Sequence, residues 1–130
     1  MLKIEIITDK KIKPTDYKNA VSEYVKRLSE TAKINFKTSV KSISKNPSEC
    51  IFNIDYKGKS LSSEDFADTI ENLKINGVSK LIFNFTDNKA DDAYDLSLCH
   101  VDLSEELTVI LLLEQLYRAY RINSGGKYHK

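Results

Sequence analysis

Two cysteines, two prolines, four glycines, one methionine and no tryptophan stand in 130 residues. Glycine and proline this sparse exclude collagen-like and low-complexity chains. Cys50 and Cys99 fit no metal-ligand spacing and no CxxC pattern, so they are expected to be reduced residues of the core. No stretch approaches the ~18 uninterrupted apolar residues of a membrane span, and the opening apolar run is too short for a signal peptide. A cytoplasmic protein is the expectation. GxGxxG, the Walker loop, HExxH and GxSxG are all missing, and two histidines are too few for a protein-only metal cage, so no metal is expected. What is present is ordinary: 41% apolar and 30% charged residues. A chain of this length buries roughly two-thirds of its unfolded surface, which suits one domain over 1–130.

A net charge of +1 conceals a division. Residues 1–60 carry 13 Lys/Arg against 7 Asp/Glu, and residues 61–130 carry 7 against 12. Any basic site is therefore local. Seven acids and one lysine lie between Asp87 and Glu106, whereas four Lys/Arg and one acid lie between Glu114 and Lys130.

Leu2, Ile4, Ile6 and Ile7 read as a strand buried on nearly both faces. After Pro14 and Thr15, the set Tyr17, Ala20, Val21, Tyr24, Val25 and Leu28 follows helical spacing. Ile34, Phe36 and Val40 alternate as a strand, and Cys50 to Ile54 forms another. Ser62 with Asp65 three residues on opens a helix through Leu73, which Asn76 and Gly77 close. Leu81, Ile82, Phe83 and Phe85 are too densely apolar for a half-exposed strand and are expected at the centre of a parallel sheet. Asp87 to Tyr94 reads as polar loop with room for one helical turn, then Leu96 and Leu98 as a short strand. Ser104 caps a last helix whose first turn carries Glu105 and Glu106, and whose stretch Leu107 to Leu113 is apolar almost all round. One subunit has few elements to cover such a helix, so a homodimer is expected. The fold class is α/β, a mostly parallel sheet with helices on both faces.

Leu112-Leu113-Glu114-Gln115-Leu116-Tyr117-Arg118-Ala119-Tyr120, leading into Gly126, Lys127, Tyr128, His129 and Lys130, closely resembles the C-terminal signature of the RlmH family of SPOUT methyltransferases. The first strand, Glu23 to Leu28, the Leu61 to Phe66 opening and Ser97-Leu98 are also similar to that family. The resemblance implies a SPOUT-like domain with a C-terminal trefoil knot, a homodimer, S-adenosylmethionine as cofactor, and methylation of a pseudouridine of 23S rRNA in the ribosome. It implies that Tyr128 and His129 serve the active site across the dimer. It implies that Asn84, Phe85 and Thr86, together with Ser97, Leu98, Cys99, His100, Val101 and Leu103, line the cofactor site. Arg118, Arg121, Lys127 and Lys130 are the implied RNA contacts, although Arg118 is also spaced to pair with Glu114.

Against the family pattern, the Gly-Gly turn after the central strand is here Asn84-Phe85, and no glycine occurs among the 47 residues between Gly77 and Gly125. The family's Pro-His pair is Ser104-Glu105, and the region between Val40 and Cys50 lacks a helix that the family carries. Asn84 can take the left-handed conformation, but the Phe85 ring would fill adenosine volume unless it turned into the core. On these residues alone S-adenosylmethionine is expected to bind more weakly than ~1 mM, about −4 kcal/mol. Two readings stand: a methyltransferase with a rebuilt pocket, and a catalytically silent paralogue serving as a dimeric RNA- or ribosome-interaction module.

Overall fold

In the computed structural model, which describes residues 2–11, 15–38 and 46–125, the side chains of 15 and 16 apart, strands and helices succeed one another along the chain. They are β1 (Leu2–Thr8), α1 (Thr15–Leu28), β2 (Ala32–Thr38), β3 (Glu49–Ser60), α2 (Ser63–Ile75), β4 (Lys80–Asn84), β5 (Tyr94–Ser97) and α3 (Glu105–Asn123). All five strands are parallel, in the order β2-β1-β4-β3-β5. The run Leu81 to Phe83 thus occupies the central strand, as its lack of polar alternation requires.

Side chains alternate across a strand, which places Leu2, Ile4 and Ile6, Cys50 and Phe52, and Leu81 and Phe83 on one face. Val21 and Leu28 of α1, Phe66 and Ile70 of α2, and Leu112 and Leu116 of α3 all pack there. Helix α3 lies between the other two, touching both. Phe52 and Phe83 stack with centroids 5.1 Å apart, and Phe66 meets Phe83 edge-on at 6.5 Å. Helices were expected on both faces; the described ones gather on one. The reason is topological: the β1-α1-β2 and β3-α2-β4 crossovers step across the sheet in the same direction, and right-handed crossovers of one direction share a face. On the opposite face Ala90 and Ala93, from the β4-β5 connection, cover Ile7, Ile51 and Ile82. The rest of that face is ionic, with the buried Glu5 carboxylate 2.8 Å from Lys37 and 3.4 Å from Lys80.

The caps form where the sequence places them. The Ser62 hydroxyl accepts from the Asp65 N–H and the Ser104 hydroxyl from the Leu107 N–H, each satisfying a first-turn donor that has no helical partner. Gly77, at φ +93°, makes the left-handed exit from α2. Other boundaries differ from expectation. The second strand ends at Thr38, and Val40 lies outside the described residues. No helical turn forms between Asp87 and Ala93, and the short fifth strand closes at Ser97, before Leu98. The third strand continues beyond Ile54 to Ser60 because β5 supplies a ladder for it: Ile54 and Lys59 both pair with Leu96, so residues 55–58 bulge out. At Gly58 an added Cβ would stand 3.0 Å from Asp95 and Leu96 backbone atoms. Only glycine lets the two strands approach so closely.

Candidate functional site

Parallel strands deliver their C-terminal ends to one edge of a sheet, where the loops have room to converge. Here that edge holds a cleft of about 360 Å³, toward the lower end of the range for small-molecule sites. Asp9 follows β1, Phe85, Thr86 and Asp87 follow β4, the β3 bulge contributes Ile54 to Tyr56, and Leu98 to Leu103 bring the chain to Glu105 and Thr108 at the start of α3. Ile54, Phe85, Leu98 and Leu103 give it apolar wall.

The turn after the central strand is built by side chains in place of glycine. Asn84, fully buried, donates from Nδ2 to Asn53 Oδ1 at 2.9 Å and to the Asn88 carbonyl at 3.0 Å. Its Oδ1 accepts from the Thr86 N–H at 3.0 Å and the Thr86 hydroxyl at 2.7 Å. Asn53 in turn spans Ala90, donating to its carbonyl and accepting from its N–H. A buried network in which every member is satisfied rigidifies what it joins, and this one fixes residues 84–90. The left-handed backbone that Asn84 was expected to permit is not used: Asp92 is the one non-glycine residue of positive φ among the described residues. Phe85 packs in part against the helical core while its N–H donates to the Ile7 carbonyl at 2.9 Å. Its ring is therefore wall, and the cleft stays open beside it.

Five carboxylates line the cleft, from Asp9, Asp55, Asp87, Asp102 and Glu105, against one lysine, Lys89. Lys89 pairs with Asp55 across it. That hydrogen bond is the main cause holding Asp55 below its ordinary pKa and Lys89 above its own. Burial pushes Glu105 upward, partly offset by the Asp9 N–H donating to its Oε2 at 3.2 Å. From Cys99 to Leu103 the backbone N–H groups find no acceptor among the described residues. An apolar wall, a run of free backbone donors and surplus negative charge suit a ligand with a flat ring, polar edges and a cationic group.

Of the residues expected at a cofactor site, Phe85, Thr86, Leu98, Cys99, Val101 and Leu103 line this cleft. Asn84 stands behind it as the turn's support. Ser97 is turned away: it is buried, lines a separate small pocket with Gln115, and donates to the Tyr56 and Cys99 carbonyls. His100 also lies outside the lining, exposed, its Nδ1 3.1 Å from the Tyr56 carbonyl. Cys50 is the core thiol expected, whereas Cys99 is half-buried at the cleft because β5 ends two residues before it. Asp9, Ile54, Asp55 and Tyr56 escaped sequence reasoning. The C-terminal-edge rule for parallel strands was the signal available for them. Arg118, half-buried, bonds Glu114 Oε1 at 2.9 Å, and Glu114 also accepts from the Tyr24 hydroxyl at 2.8 Å. Arg118 lies ten residues beyond Thr108 on α3, about 15 Å along a helix, so the structure does not bring it or the exposed Arg121 to the cleft of the same chain. Lys127, Tyr128, His129 and Lys130 lie outside the described residues. Among those described, no cluster of His, Cys, Asp and Glu could hold a metal ion, and no helix is long and apolar enough to cross a membrane.

Comparison with known proteins gives one consistent result. The family described as predicted SPOUT methyltransferase matches residues 2–129. Ribosomal RNA large subunit methyltransferase H of Clostridium botulinum (strain Kyoto / Type A2) is 34% identical over 161 residues, covering 99% of this chain and 100% of that protein. Its namesake in Lactobacillus helveticus (strain DPC 4571) is 31% identical with the same coverage. An alignment of 161 residues against a chain of 130 means that these relatives carry segments this one omits.

Proposed function

The chain belongs to the family of predicted SPOUT methyltransferases, and from that premise we propose that it is a homodimeric cytoplasmic enzyme that uses S-adenosylmethionine to methylate a pseudouridine of 23S rRNA in the ribosome. Membership implies the C-terminal trefoil knot, and the names of the relatives support the substrate class. One observation carries the reading: the segments 85–86 and 98–103, expected at the cofactor, meet from different strands in one cleft at the C-terminal edge.

The cofactor supplies an electrophilic methyl group on a cationic sulfur. Ile54, Phe85, Leu98 and Leu103 offer the flat apolar surface for its base, and the backbone of the lining residues Cys99 and Val101 to Leu103 offers N–H donors to its polar edges. Asp55, Asp87, Asp102 and Glu105 oppose its positive charge. Holding the acceptor ring nitrogen in line with that methyl is positioning more than proton transfer, and correct positioning alone accounts for many orders of magnitude in rate. Arg118 and Arg121 stand too far along α3 to serve the cleft of their own chain, which supports a second subunit presenting its arginines and its Tyr128-His129 tail there.

A second reading, an RNA-binding paralogue without methyl transfer, is favoured by one observation: the Thr86 N–H is spent on the Asn84 side chain, an acceptor that a glycine at 84 would not supply. Calorimetry with S-adenosylmethionine, paired with transfer of labelled methyl to ribosomes, separates the two. The enzyme is expected to bind tighter than ~1 mM and to label the large-subunit RNA. A weaker constant with no label would overturn it in favour of the paralogue.

A further inference from the structure

A second concavity, about 700 Å³, lies between α1 and the edge strand β2. Its floor is apolar, from Val21, Val25 and Phe36, and its rim carries Lys11, Lys18 and Lys26. Among the described residues no acid lines it, and none of the three lysines makes an ion pair. Phe36 is 39% exposed, and burying such a ring in water-accessible β-structure is normally worth stabilisation that this strand forgoes. The groove also adjoins the cleft: Thr8 lines the groove, and the next residue, Asp9, lines the cleft.

Unpaired lysines around an exposed aromatic ring on an apolar floor are what a single-stranded nucleic acid binds, its phosphates on the cations and a base on the ring. We propose that the α1-β2 groove holds the single-stranded RNA flanking the modified nucleotide, with Lys11, Lys18 and Lys26 on its phosphates and Phe36 as a stacking platform. This rests on the methyltransferase reading for the identity of the strand, while the binding chemistry rests on the groove alone. The charge pattern also makes a division of labour: the strand's anionic backbone runs over the lysines, and only the target base needs to enter the acidic cleft beside Asp9.

The test is fluorescence anisotropy of the full-length protein with a labelled twelve-residue oligouridylate, over a range of salt. Phe36→Leu, which keeps an apolar side chain without a ring, should weaken binding about ten-fold, and Phe36→Tyr should restore it. The exposed pair Lys18→Gln with Lys26→Gln leaves the core untouched and should lower the slope of log affinity against log salt by about 1.4, at roughly 0.7 for each phosphate no longer neutralised. Calorimetric affinity for S-adenosylmethionine should be the same in every variant. Wild-type protein that does not bind the oligonucleotide, or variants that bind with wild-type affinity and slope, would overturn the groove while leaving the methyltransferase reading intact. An oligoglutamate peptide bound as tightly as the RNA, with no loss in Phe36→Leu, would overturn it in favour of an acidic protein partner. Groove-dependent RNA binding by a protein that transfers no methyl to ribosomes would support the groove and refute only the catalytic reading.

Discussion

Replacing Asn84 by alanine tests whether side chains have taken over the work of the missing glycine turn. Asn84 is fully buried and makes four hydrogen bonds. Three of its partners keep another: Asn53 Oδ1 still accepts from Ala90, and the Thr86 hydroxyl and Asn88 carbonyl still face each other at 3.4 Å. The Thr86 N–H keeps none among the described residues, in a residue only 8% exposed. An orphaned buried donor costs about 1–3 kcal/mol and each lost bond with a remaining partner a further ~0.5 kcal/mol or more. Asn84→Ala should therefore lose about 2–4 kcal/mol, a large share of a typical domain stability of about 5–15 kcal/mol. Urea unfolding should show a lower midpoint with an unchanged slope. Asn84→Asp should be worse at neutral pH, because a carboxylate cannot donate to Asn53 or Asn88, and should recover as acid protonates it. A loss under ~1 kcal/mol for the alanine variant would refute the view that this network holds the turn.

Four further outcomes are expected. Gly58→Ala places a methyl 3.0 Å from the β5 backbone and should cost about 1–3 kcal/mol in thermal or urea unfolding, as overpacking does; a neutral result would mean the strands part freely. The Asp55-Lys89 pair depresses Asp55, so its contribution is present above the ordinary carboxylate range and lost as pH falls through the lowered folded value; Asp55→Asn should cost at most ~1 kcal/mol at pH 7, given the exposure of the pair, and nothing once the pH is below that folded value, and a difference that persists there would assign the loss to packing. Sedimentation should give twice the 14.8 kDa chain mass, and deleting 127–130 should weaken ribosome binding and flatten its salt dependence; a monomer, or unchanged binding, would remove the shared site.

Most of the element order was legible because it follows from local signals. Helical spacing in α1, the Ser62 and Ser104 caps and the dense apolar β4 need no knowledge of neighbours. What escaped was set by pairing. Beyond Ile54 no apolar alternation marks a strand, yet β5 pairs with Lys59 and Ser60 after the bulge over 55–58, and a strand is stabilised by its cross-strand partners rather than its own propensity. The same reason hid Asp55 and Tyr56 from the site. Helix placement was misjudged because it depends on strand order, which no single segment encodes. The role of Asn84 was half visible: a left-handed turn was the obvious use of an asparagine in that position, but Asn53, thirty-one residues away, offered its side chain a better one.

The charge division along the chain acquires a physical sense once the strands are ordered. Lys11, Lys18 and Lys26 come from the basic first half, and Asp87, Asp102 and Glu105 from the acidic second. The sheet's C-terminal edge holds the acids, Lys18 and Lys26 follow α1 away from it, and Thr8 and Asp9 form the boundary between the two surfaces. A cationic donor and a polyanionic acceptor are then drawn to neighbouring but different surfaces, and each is repelled from the other's. The cost is that the target base must cross into a field unfavourable to its own phosphate, so the strand has to be anchored on the basic side while the base alone turns in. Raising salt should accordingly weaken RNA binding at the groove, since screening acts most strongly between exposed charges.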